Sequence, residues 1–323
     1  MVRILHLAIA PLFAAVLGAQ QFIETFPVDG AGAPAGWTAQ NGTWQVIGGR
    51  LQSTSGGSWV YITRNGLIAQ DCVLDGEFFY NTATAVQFAG LTARYQGPGD
   101  SNTLMCKIQN NGGVADFDRV FLYERGASGN TFVDIPGGTV DAYCRMIVLG
   151  GEFWMEVDAN RDGIYELATP RRVITLMTGA GLLGMNAYQT SEMDNFEYHD
   201  AVLVPSTGSV PHIGTSYGMD LHVGANEVFL GALSTGNAGI PFIVEPRAIP
   251  LTPDGVFFAT LGVGALGLSG ISDASGLATI SIPIPPNPVL IGLTLFASAF
   301  TVDGSRTFGV GKISNEHAFT IVQ

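Results

Sequence analysis

Between Phe22 and Val204 short apolar-rich runs, some continuous and some broken by a polar residue, alternate with turn residues. Short runs rich in β-branched and aromatic residues between turn signals are the pattern of β-strands. Segments 58–63, 72–80, 103–109, 120–123 and 142–149 read as strands, punctuated by Asn111-Gly112-Gly113, Gly150-Gly151 and Asp162-Gly163. No window of helix length carries a 3.6-residue apolar period, and the nearest candidate, 172–177, is short and β-branched.

The pattern changes near residue 205. Pro205-Ser206-Thr207-Gly208-Ser209-Val210-Pro211 has the composition of a linker, and the chain beyond it is rich in Gly and Pro and free of Trp. The expected organisation is a leader over 1–19, a first β-domain over 20–204, a linker over 205–210 and a second over 211–323. The last has the length of a small immunoglobulin-like sandwich.

Composition narrows the partners. The 323 residues carry a net charge of −13, with 47% apolar and 13% charged positions and 43 glycines. So much apolar surface excludes a disordered chain, and the acidic balance argues against nucleic acid or anionic lipid. Arg3, the apolar run from Ile4 to Leu17 and small residues at Gly18-Ala19 form a secretory signal, predicting a chain that is exported to the medium or cell surface and begins near Gln20. A second uncharged run, 274–302, is broken by Pro283, Pro285, Pro286 and Pro288 and reads as buried strands, so no membrane anchor is expected. Cys72, Cys106 and Cys144 make an odd count inside apolar runs, the pattern of small buried hydrophobes, with a Cys106–Cys144 bridge left open.

Phe22-x-Glu24-x-Phe26, Gly36-Trp37, Gly42-Thr43-Trp44-Gln45-Val46 and Gly48-Gly49-Arg50-Leu51 resemble the opening of concanavalin-like, laminin-G-type jelly rolls. Gly90-Leu91-Thr92-Ala93-Arg94, 143–148, Glu156-Val157-Asp158 and Asp194-Asn195-Phe196 continue the resemblance over residues 20–204. It implies an all-β jelly-roll sandwich, a fold that hosts lectins, glycan-binding modules and glycoside hydrolases alike. Gly276-Leu277-Ala278-Thr279 and 290–293 are similar to C-terminal sandwiches of large secreted bacterial proteins.

Asp158-Ala159-Asn160-Arg161-Asp162-Gly163 sets oxygen-bearing side chains at alternate positions before a glycine, like the first half of a calcium loop, although Thr169 stands where the bidentate glutamate belongs. An acidic hairpin turn is the plainer reading. By the resemblance, Glu24 and Asp194 would hold a second, structural Ca2+ between the first and last strands. The strand Glu152–Asp158 puts Glu152, Trp154, Glu156 and Asp158 on one face, an aromatic plate beside acids that suits a sugar. Laminarinase-type enzymes carry Glu-x-Asp-x-Glu; here Trp154 holds the middle position, against catalysis. Trp37 and Trp44 are expected in the interior, Trp59 and Trp154 as exposed plates. Gly214-Thr215-Ser216-Tyr217-Gly218 and Gly262-Val263-Gly264-Ala265-Leu266-Gly267 match nucleophile and dinucleotide motifs without the flanking helices those need, and the second reads as a β-turn.

The expected function is non-catalytic binding or adhesion to a glycan or cell-surface polysaccharide through Trp154, Glu156, Arg94 and Trp59. The alternatives are a secreted glycoside hydrolase or lyase using Glu152 and Glu156, and a structural component of the cell surface.

Overall fold

A computed structural model describes residues 22–82, 86–99, 101–111, 115–242, 247–306 and 308–323; the expected leader lies outside them. The strand-like runs form two packed antiparallel sheets. The ten-stranded sheet runs Leu167–Ala168, Glu152–Asp158, Asp141–Leu149, Cys72–Phe79, Glu192–His199, Arg50–Ser53, Trp44–Ile47 and Gly30–Ala31. Phe22–Glu24 also joins Glu192–His199, and Arg172–Val173 joins Glu152–Asp158. The seven-stranded sheet runs Thr131–Thr139, Phe117–Glu124, Leu104–Gln109, Phe88–Tyr95, Gly181–Tyr188, Trp59–Ala69 and Trp37–Ala39. Glu24 stands opposite Phe196, so the first and last strands of the sandwich pair, and the architecture is the jelly roll.

One core lies between these sheets. Trp37 and Trp44 are inside, as expected, and Trp37 meets Phe196 edge-on with ring centroids 5.1 Å apart. All three cysteines are buried there as free thiols. Phe196 is fully buried, so truncating it to Ala would cost about 3–5 kcal/mol.

A smaller sandwich follows. It joins a three-stranded sheet, Val202–Pro205, Ser216–His222 and Leu277–Pro283, to a five-stranded one built on Val228–Ser234 and Thr294–Val302. The expected boundary at 204 falls within the strand Val202–Pro205, which pairs with Ser216–His222. That strand serves both cores by its period of two: Leu203 packs into the second sandwich, while Val202 and Val204 cluster with Val73, Ile147 and Trp154 of the ten-stranded sheet. The segment composed like a linker is a packed turn, with Ser206 donating to Asp220 Oδ1 at 2.6 Å and Ser209 Oγ accepting from Gly218 N at 2.6 Å.

Two elements differ from expectation. A six-residue helix, Gly255–Thr260, starts at Asp254, whose side chain accepts from Phe257 N, and its length is below what an apolar period can signal. The Gly-rich stretch after it is a 3-10 turn, Gly264–Leu266, rather than a β-turn. No helix among the described residues is long and apolar enough to cross a membrane.

Candidate functional site

The outer face of the ten-stranded sheet carries the acids and tryptophan singled out from sequence. Registers align three rows across it: His199, Val73, Ile147 and Trp154; then Glu197, Asp75, Arg145 and Glu156; then Glu77, Tyr143 and Asp158. Trp154, Glu156 and Asp158 share this face, as the period of two requires. The face is not free: the second sandwich sits on it.

Trp154 is 4% exposed, so it is no open plate. Its indole packs on Val202 and Val204, and its Nε1 donates to Glu156 Oε1 at 3.1 Å. Burial raises the Glu156 carboxyl above its ordinary range, against the pull of Arg145 and Trp154. Glu152, at the strand end, sits 3.5 Å from Arg171 and belongs to no such network. The expected sugar contact at Trp154 and Glu156 is therefore an inter-sandwich contact.

Arg145 is the centre of that contact. Its Nε donates to Asp75 Oδ1 at 2.7 Å, while its two Nη groups reach the main-chain oxygen of Glu316 at 2.7 Å and the Glu316 carboxylate at 2.8 Å. His199 Nε2 lies 3.3 Å from Asp75 Oδ2 and 3.7 Å from Glu197 Oε2. Burial works against the Asp75 charge, but Arg145 and His199 outweigh it and hold the carboxyl low; burial pushes Glu197, opposite it, up to about 7.

Arg94 is also inside. It is fully buried, and its guanidinium donates to the carbonyls of Gln70, Met177 and Gly150 and to Asp71 Oδ1, at 2.7, 2.7, 2.9 and 3.1 Å. All four are loop atoms, and Asp71 Oδ1 also accepts from Gly150 N at 2.9 Å, so Arg94 is a tie between loops and not a ligand contact. A Cβ on Gly181 would come within 2.4 Å of the Arg94 backbone, so only glycine fits beside it.

Trp59 alone of the four expected ligand contacts keeps a partly open ring. It stands on the outer face of the seven-stranded sheet, where Tyr61, Asn186, Gly90, Lys107, Phe121 and Phe132 form one register row and Trp59, Tyr188, Phe88, Gln109 and Arg119 the next. Trp59 meets Phe88 and Tyr123 edge-on at 5.2 and 5.4 Å, and Phe88 stacks on Tyr188 at 5.5 Å. Beneath them lies Lys107, 2% exposed, its ammonium 3.9 Å from the Phe88 ring centre, 4.4 Å from Trp59, 5.1 Å from Tyr123 and 5.2 Å from Phe121. Burial, helped by Arg125, lowers the Lys107 ammonium to about 7, while the ring quadrupoles pull the other way. Arg125 in turn lies over Trp59 at 4.3 Å. Sequence reading missed Lys107; the signal was one lysine at an outward position of a strand whose only other polar residue is its last, Gln109.

The loop after Glu152–Asp158 is wound around Asp158. Its carboxylate accepts from the main-chain nitrogens of Arg161, Asp162 and Gly163, and Glu166 Oε2 accepts from Ala159 N. Carboxylate oxygens of Asp158, Asp162 and Glu166 lie within 4.8 Å of one another, a donor set suited to a hard cation. Asn160 Oδ1 instead accepts from Asp162 N at 2.9 Å, and Thr169 Oγ1 accepts from Met155 N at 3.0 Å. Glu24 and Asp194 share no such group with a third acid, histidine or cysteine among the described residues. Glu24 is taken by Trp37 Nε1 at 3.4 Å and Arg64 at 3.7 Å, and Asp194 stands opposite Glu77.

No protein-family model matches the chain, and no curated protein matches its sequence. Among solved structures, a Bacillus licheniformis beta-glucanase is similar over 56% of this chain and 98% of its own, at 11% identity and a TM-score of 0.41. Arcelin-5, a lectin-like defense protein from Phaseolus vulgaris, covers 56% of this chain and 98% of its own, at 10% identity and a TM-score of 0.37. The exoplasmic/lumenal domain of VIP36 in a Ca2+/Man2-bound form covers 55% of this chain and 86% of its own, at 9% identity and a TM-score of 0.39. At these TM-scores the likenesses carry no argument, and the fold rests on the strand pairing itself.

Proposed function

We propose that this is an exported, non-catalytic glycan-binding protein whose contact surface is the outer face of the seven-stranded sheet. One observation carries the reading: half-buried Trp59 and Tyr123 stand over a buried lysine, with half-buried Tyr188 stacked on Phe88 beside them, on the sheet opposite the one that packs on the second sandwich. Sugar CH faces stack on such rings, and the Tyr123 hydroxyl, which accepts from Asn130, keeps its own proton to donate at the rim. The Asp158–Glu166 loop is the calcium site in this reading, with a structural role. The second sandwich, of the immunoglobulin-like class, supports the first and covers its other sheet.

A glycan array with the chain from Gln20 tests it. Saturable binding to a polysaccharide, weakened about tenfold or more in Trp59→Ala at unchanged melting temperature, is the expected result. Turnover of the bound glycan would replace the reading by a hydrolase; equal binding by Trp59→Ala would remove the site.

A further inference from the structure

A cleft of about 420 Å3 remains between the two sandwiches, within the usual size range of small-molecule sites. Asp75, Tyr143, Arg145 and Glu197 wall it from the ten-stranded sheet, and Asn237 and Gly239 close it from the second sandwich. Most charge there is already spent. Arg145 is held by Asp75 and Glu316, and Arg161 by Glu77 and Asp141, so no guanidinium is left over for an anionic ligand.

Hydrogen-bonding capacity is not spent. Among the described residues the Glu197 carboxyl is met only by His199, at 3.7 Å. The Tyr143 hydroxyl receives Arg161 at 3.4 Å, leaving its own proton to donate. The exposed Asn237 amide has no hydrogen-bond partner among the described residues, while its side chain packs against Gly163. One acceptor, one donor and one group that does both surround a space flanked by the rings of Tyr143 and Tyr165. A hydroxyl is also donor and acceptor at once, so a compact polyol satisfies all three where an ion or an apolar molecule does not.

We propose that the cleft is a second saccharide site, for a neutral mono- or disaccharide, built jointly by both sandwiches and independent of the aromatic face. Because burial pushes Glu197 up to about 7, that carboxyl also donates near neutral pH.

Titration calorimetry of the full chain from Gln20 with maltose, cellobiose and laminaribiose tests it. Saturable uptake of at least one is expected, weakened about tenfold or more by Asn237→Ala combined with Tyr143→Phe and unmoved by Trp59→Ala. These substitutions remove polar atoms without touching either core, and an unchanged melting curve confirms that the fold is intact. No saturable uptake, or uptake that survives the double change, overturns the site. Loss with Trp59→Ala alone assigns the sugar to the aromatic face and likewise ends the proposal.

Discussion

Arg145 and Glu316, 171 positions apart, are joined twice, once through the Glu316 carboxylate and once through its main-chain carbonyl. The side chain of Arg145 is 3% exposed and that of Glu316 12%, so the pair is desolvated as well as close. Removing one member of a buried pair strands the charge of the other. Arg145→Met should therefore cost about 3–5 kcal/mol in urea unfolding, with Asp75 left to His199 and the Tyr165 hydroxyl. Glu316→Gln, which keeps the carbonyl contact, should cost less.

Glu197 and Asp200 should add stability as pH falls from 8 to 6. Glu197, at about 7, and Asp200, at about 6, are both raised by burial, so the folded chain holds protons that the unfolded chain releases. Their contribution is full below the ordinary carboxylate range and lost as pH climbs through those values. His199 acts in the same direction, since Asp75 and Glu197 overcome its burial and raise it. His317, which burial lowers to about 4, opposes them as pH falls below its ordinary range. A melting-temperature profile should flatten between pH 5 and 7 in Glu197→Gln.

Lys107 should respond to pH the other way. Its folded value near 7 lies below the ordinary lysine range, so the ammonium costs stability at neutral pH and the cost disappears as pH approaches 10. Lys107→Met should remove that rise in denaturant midpoint while leaving stability at pH 7 unchanged or higher. A loss at pH 7 would show that the four rings outweigh burial.

Arg94→Lys keeps the charge but gives up the planar fork that reaches three carbonyls at once. Of the three, the Met177 carbonyl is the buried one, and leaving it unpaired costs about 1–3 kcal/mol, the loss expected in chemical unfolding.

Calcium should raise the melting temperature, and chelator should reverse the gain, if the Asp158–Glu166 loop takes the ion. Asp162→Ala should abolish the response. Equal melting with calcium and with chelator would leave the loop a turn held by its own backbone nitrogens.

Much of the fold was legible in the order of strand-like runs and turns. Glu152–Asp158 is a strand whose Trp154, Glu156 and Asp158 share a face, as its pattern required. What covers that face was not legible. Asp75, Arg145 and Glu156 fall at outward positions, and a polar side chain at such a position looks the same in sequence whether it meets water or a second sandwich. Arg94 was misread for the same reason: its partners are carbonyls, and every residue has one. Trp59 could be picked out as a candidate, but its neighbours come from four other strands, which only the register brings together.

The three thiols have a use beyond packing. Burial pushes Cys72 up to about 12 and holds Cys106 and Cys144 well above the ordinary thiol range, so none presents a thiolate to solvent while the sandwich is closed. An alkylating reagent can reach them only through an opening of the core. The chain thus carries its own clock for how often that core breathes, readable by mass without adding a label.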